Sequence, residues 1–286
     1  AVIGLAGFWV LTIPRTIEAS ALPKHTVDIT NGEVIFHVGG CSSCHASPAT
    51  SACDNPKSTD KAKLGGGRCL KTPFGVFYVP NISPDHETGI GSWSDAQFAT
   101  AMQRGVAPDG SHYYPAFPFA SYQRMRIEDV LDLKAFLMTL PVVSSRAPAH
   151  ELALPFKLRR GLGLWKLLFL DGRPFEPDAK LGPEENRGKY LVEGPGHCGE
   201  CHTPRNFMGG FLADKKLAGG PAPEGDGWIP NLTSAPAPDG LGSWSKSDID
   251  GSLALGMLPS GDFFGGPMVA VQENMALLPV ADRAAI

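Results

Sequence analysis

The chain has 286 residues, with 29 acidic against 25 basic side chains and a formal net charge of −4. That balance provides no basic field for nucleic acid, and the length suits about two domains. The 34 glycines and 26 prolines point to loop-rich domains that bury little apolar surface unaided.

In chain order, the pattern divides into 1–20, read as a partial membrane anchor; 26–145, a first domain; 146–181, an interdomain or docking segment; and 182–286, a second domain whose terminal helix reads as incomplete. Ala1–Ile13 is almost wholly apolar but shorter than the roughly 20 residues a spanning helix needs. It reads as the end of a longer anchor, with an uncleaved signal core or a hydrophobic docking arm as alternatives. Pro14 and Arg15 close the run, the arginine at a plausible interface position.

The first domain opens with a short helix over Asn31–Val38, followed by Cys41-Ser42-Ser43-Cys44-His45. C-x-x-C-H is the attachment signature of c-type haem. One turn of chain presents two thiols to the vinyl groups of the porphyrin, and the adjacent imidazole binds the iron. A zinc site would need two further Cys or His ligands, and a redox pair does not need the trailing His. The motif recurs as Cys198-Gly199-Glu200-Cys201-His202, so the expected cofactors are two covalently bound haem c groups. Cys53 and Cys69 remain, either as a disulfide or as two buried thiols. Attachment of haem and disulfide formation both suit an exported, oxidising compartment.

Further along, Ser94-Asp95 caps a helix through Ala96–Arg104 that stops at Gly105, and Arg126–Met138 shows helical apolar spacing before Pro141. The segment Arg146–Lys180 mixes bulky apolar and cationic residues, which suits packing between domains or a docking face for a partner or membrane. In the second domain Asn186–Val192 and Ser245–Leu255 read as helices, and Leu278–Ile286 reads as the start of another. With no long alternating strand pattern, the expected fold class is all-α.

An ordered internal repeat ties the halves together. Val79-Pro-Asn-Ile-Ser83 recurs as Ile229-Pro-Asn-Leu-Thr233, Gly91-Ser-Trp-Ser94 as Gly242-Ser-Trp-Ser245, and Gly105 as Gly256. His45 and His202 each fill one axial position of an iron; the other decides between a closed electron carrier and an open, reactive site. For the second haem the best candidate is Met268, in Gly265-Gly-Pro-Met268, with Met257 and Met275 as competitors. The same offset puts Phe117 in the first domain, which cannot ligate. Met125 is the nearest later thioether and is favoured over Met102 and His112. His197, Trp93 and Trp244 suit packing near haem, and carbonyls near Pro48 and Pro204 are candidates to orient the proximal rings.

Thr72-Pro-Phe-Gly75, Pro80-Asn-Ile-Ser-Pro-Asp85, Glu87-Thr-Gly-Ile-Gly91, Tyr114-Pro-Ala-Phe-Pro-Phe119, Asn186-Arg-Gly-Lys-Tyr-Leu191 and Gly196–Asn206 form a set. Together they resemble the dihaem or multihaem cytochrome c subunits of bacterial membrane-associated dehydrogenases, typified by the alcohol dehydrogenase cytochrome subunit. The resemblance runs from about Asn31 to the C-terminus. It implies two tandem class I cytochrome c domains on the periplasmic side of the inner membrane. Electrons would come from a catalytic dehydrogenase subunit and leave to a quinone, an oxidase or another cytochrome. Many relatives carry three haems where this chain has two motifs, and some have Met where Phe117 stands; the Cys53–Cys69 pair is not carried over from the resemblance. On this reading the chain is no enzyme by itself; the alternative is a dihaem peroxidase-like enzyme with one open haem.

Overall fold

The computed structural model describes residues 2–47, 53, 60–223 and 227–286. Its helices are α1 (Val2–Leu11), α2 (Ile29–Val38), α3 (Cys41–His45), α4 (Asp95–Arg104), α5 (Phe119–Tyr122), α6 (Ile127–Leu137), α7 (Leu162–Phe169), α8 (Pro183–Glu193), α9 (Gly199–His202), α10 (Lys246–Leu255), α11 (Met268–Met275) and α12 (Val280–Ala285). The short strands are β1 (Cys69–Thr72), β2 (Gly75–Tyr78), β3 (Glu151–Leu152), β4 (Gly220–Pro221) and β5 (Trp228–Ile229).

The strands correct the all-α expectation. β1 and β2 form a hairpin with Cys69 opposite Tyr78 and Thr72 opposite Gly75, and β3 adds to β2 through Gly75 and Leu152. β4 pairs with β5 through Gly220 and Ile229. Strands of two to four residues are too short for a period-two pattern to register in sequence. The helical framework dominates around them.

Each half is organised by a crossing of its first and last helices. Where α2 meets α6, Gly32 lies against the Asp132 carbonyl so closely that a Cβ would sit 2.1 Å from the oxygen. Where α8 meets α12, a Cβ on Gly188 would sit 1.7 Å from the Ala285 carbonyl oxygen. Only glycine permits either approach. The crossings differ in chemistry: Asn31 donates to Asp129 and Asp132 in the first, and Arg187 pairs with Asp282 in the second.

The matching helices α4 and α10 show how closely the repeat is obeyed. Ser94 and Ser245 each accept from the backbone N–H three residues on, and Gln97 and Asp248 reach back to complete a capping box. Both helices end at a left-handed glycine, Gly105 and Gly256.

The main core gathers Ile35, Phe36, Leu64, Ile90, Phe98, Met102, Met125, Val130 and Leu133 in the first half. A second cluster crosses between the halves and joins Val38 of α2 to Tyr190, Leu191, Met275 and Leu278. Ahead of α2, Ile17 and Leu22 pack on the main core, and the Ile17 N–H donates to Thr100 at 2.9 Å. The segment 146–181 is structured rather than a spacer. Leu152 is buried with Leu70, Phe77, Val79 and Tyr114, and α7 lies over the end of α4. Cys53 and Cys69 form a disulfide. Among the described residues no helix is long and apolar enough to cross a membrane; α1 has ten residues.

Candidate functional site

Cys41, Cys44 and His45 lie on the single-turn helix α3, and the second motif forms the matching turn α9 preceded by Cys198. Helical spacing of i and i+3 puts each pair of sulfurs on one side of its turn. Burial pushes the Cys41 thiol up to about 12 and the Cys198 thiol up to about 11, so both are neutral thiols in the bare chain.

The two imidazoles are fixed identically. His45 Nδ1 lies 2.8 Å from the Pro80 carbonyl, and His202 Nδ1 lies 2.8 Å from the Pro230 carbonyl. A carbonyl can only accept, so each ring donates from Nδ1 and its Nε2 carries the lone pair. Burial lowers His45 to about 4 against the opposing Pro80 hydrogen bond, and it also lowers His202. Both rings are therefore neutral at ordinary pH, the form in which imidazole binds a metal. A carbonyl-oriented imidazole beside two thiols on one helical turn fits the donor set of covalent haem.

The carbonyls reach the rings because a glycine loop supports them. Gly66 donates its N–H to the His45 carbonyl at 2.9 Å, and Gly219 does the same for His202 at 2.8 Å. Both have left-handed backbone, φ 67° and 71°. A Cβ on Gly66 would sit 2.4 Å from the Pro80 carbonyl carbon, and one on Gly219 would sit 2.5 Å from the Ile229 carbonyl oxygen. These glycines and the Pro80 and Pro230 carbonyls escaped the sequence reading. The recurring Pro-Asn dipeptide was the available signal. Pro204 instead accepts from the Leu212 N–H, and Pro48 lies outside the described residues.

Each attachment motif is bonded to a helix of the other half. Asn274 of α11 donates to Ser43 at 2.9 Å and accepts from Ser42 at 3.4 Å, both residues lying between the first pair of cysteines. Reciprocally, Glu200, between the second pair, accepts from Ser121 of α5 at 2.8 Å. His197 Nε2 donates to the Gly39 carbonyl at 3.1 Å, and its ring stands edge-on to Tyr122. Tyr122 is buried beside Cys41, Cys44 and Glu200; burial first, then those groups, drive its hydroxyl well above the usual tyrosine range.

The candidate distal residues fall in different surroundings. Met125 is fully buried in the main core, against which Cys41 also packs. Met268 begins α11 and is half-buried. Met102 is buried on α4, Met275 belongs to the cluster between the halves, and Met257 is 47% exposed. His112 has both nitrogens engaged, Nε2 with the Thr12 carbonyl at 3.0 Å and Nδ1 with Lys166 at 3.1 Å. Trp93 packs at the edge of the main core.

Residues 29–141 match the cytochrome c family model. The chain is also 48% identical over 285 residues to a diheme cytochrome c-type protein of Cereibacter sphaeroides, covering 99% of this chain and 91% of that one. The chain belongs to the cytochrome c family. Its membership implies covalently held haem c. Among other relatives, the fructose dehydrogenase cytochrome subunit of Gluconobacter japonicus is 35% identical, over 94% of this chain and 53% of its own length. The cytochrome c subunit of the quinone alcohol dehydrogenase of Gluconacetobacter polyoxogenes is 36% identical, over 83% and 50% respectively. This cytochrome thus spans about half the length of those two dehydrogenase subunits.

Proposed function

We propose that this cytochrome carries two covalent haem c groups and relays single electrons from a dehydrogenase subunit toward the respiratory chain. The observation that carries the reading is that each attachment motif is bonded to a helix of the other half, Ser42 and Ser43 to Asn274 and Glu200 to Ser121. Two equivalent sites, each tied to the opposite half through its attachment turn, suit transfer between them.

Cys41 and Cys44 would hold the first haem and Cys198 and Cys201 the second, with His45 and His202 as proximal ligands. Met125 and Met268 are proposed as the distal ligands. The complete burial of Met125 in the core against which Cys41 packs supports the first, and the place of Met268 in the repeat supports the second. Bound haem supplies a one-electron iron centre whose potential is raised by His/Met ligation. The protein's part is to hold each imidazole neutral and aimed, to exclude water, and to keep both distal positions filled, so that it transforms no substrate itself. The dehydrogenase relatives support a catalytic subunit as donor, with a quinone, an oxidase or another cytochrome as acceptor. The exposed apolar helix α1 supports membrane attachment, and the disulfide supports a periplasmic location.

Intact-mass measurement and a redox titration test this together. The expected result is two porphyrins per chain and two one-electron waves, with Met125→Leu and Met268→Leu each lowering one wave. Fewer than two porphyrins would overturn the relay. Peroxide turnover by the purified protein would favour the open-haem enzyme instead.

A further inference from the structure

Among the described residues, one face is covered in the first half and bare in the second. After α4 the chain makes a tight turn in which Val106 bridges His112, Gly105 accepts from the Tyr113 N–H at 2.7 Å, and Ala107 accepts from the Gly110 N–H at 2.9 Å. After α10 the same turn recurs: Met257 bridges Phe263, Gly256 accepts from the Phe264 N–H at 2.8 Å, and Leu258 accepts from the Gly261 N–H at 2.9 Å. The backbones are equivalent, but the surroundings are not.

In the first half α7 and the residues before it lie over this turn. Lys166 Nζ donates to the carbonyls of Arg104 at 2.7 Å and Gly105 at 2.6 Å, and sits 4.7 Å from the centre of the Phe119 ring. Arg159 donates to Ser111 at 3.2 Å. Beneath this cover Val106 and His112 are 1% and 4% exposed. Their counterparts Met257 and Phe263 are 47% and 69% exposed, and Leu255, in the place of Arg104, is 69% exposed.

The chemistry of the bare turn complements a cover like that on the first half. Aliphatic and aromatic side chains stand where α7 would pack. Asp262 stands where Ser111 receives a guanidinium, so the bare turn offers a carboxylate to a cation. We infer that the turn formed by Leu255, Met257, Asp262 and Phe263 is a docking face for an apolar, cation-bearing helix of a partner protein, seated as α7 sits on the first half. That the partner is the electron-donating dehydrogenase subunit rests on the relay reading; the face itself does not.

The probe is a synthetic peptide of residues 157–170, which contains α7, titrated into the full-length holo-cytochrome and followed by calorimetry. Saturable binding at about 1–100 µM is expected. It should weaken about tenfold or more in Phe263→Asp, in Leu255→Ser, and with a peptide carrying Lys166→Gln. Absence of saturable binding up to about 1 mM, or binding indifferent to these changes, overturns the inference. A holo-protein dimer dissolved by Phe263→Asp would assign the face to a second copy and overturn the partner. Haem content and redox waves of the same variants report separately on the relay, because the substituted side chains lie on the surface.

Discussion

The two halves share attachment turns, capping boxes and histidine supports, yet they are held together differently. The first has a core of its own, a disulfide, a three-stranded sheet, and a cover from residues before and after it. The second shares its buried cluster with Val38 of the first half, and Tyr190 of α8 donates to Asp129 of α6. Local signals thus form a repeat's elements in both places, whereas the supply of buried apolar surface does not come equally. One half completes itself; the other is completed by its neighbour.

Substitutions can break this comparison, and the largest effects should come at the histidine supports. Gly66→Val and Gly219→Val each force a side chain into the backbone beside the proximal carbonyl, at a cost of about 3 kcal/mol or more. Each should remove haem from its own half alone, read as a loss of one porphyrin by intact mass. Loss of both from either change would show that the halves do not fold their sites separately. Next, removing the disulfide by Cys53→Ser/Cys69→Ser should cost about 3 kcal/mol. Denaturation followed at the first haem should move, with the second following only as far as its shared core requires. Val38→Ala sharpens the point further: it lies in the first half but should cost about 2 kcal/mol that appears mainly in the melting of the second. An equal shift at both haems would mean the halves unfold as one unit.

Much of this was legible in sequence because it depends on short-range chemistry. Ser94, Asp95 and Gly105 mark a helix start and stop within a dozen residues, and the observed α4 begins and ends there. C-x-x-C-H is likewise local, as is the recurrence of Pro80-Asn81 at Pro230-Asn231. What escaped depends on approach between distant segments. The Pro80 carbonyl meets His45 across 35 residues, and Asn274 meets Ser42 across 232. Nothing in the spacing of Asn274 distinguishes it from an ordinary helical asparagine. Likewise, β3 exists only because Leu152 meets the β2 edge, an arrangement set by tertiary packing rather than by its two-residue pattern.

The smallest effect at neutral pH, and the one most specific to one half, lies in the helix crossings. Asp132 is nearly inaccessible at the α2–α6 crossing. Burial works against its charge, but the Asp28 N–H, the Asn31 amide and the His25 ring together outweigh burial and hold its carboxyl below the usual range. Its folded pKa being depressed, the unfolded chain takes up the proton first as acid is added. The stabilisation is therefore complete above the ordinary aspartate value of about 4 and fades as pH falls through that value toward the lower folded one. Urea melts followed at the first haem should lose stability below about pH 4 with a slope that Asp132→Asn flattens. At the second haem the same substitution should leave the acid slope unchanged, because the crossing there uses Arg187 and Asp282. If Asp132→Asn flattened both slopes alike, the acid response would belong to the joined molecule and not to the crossing.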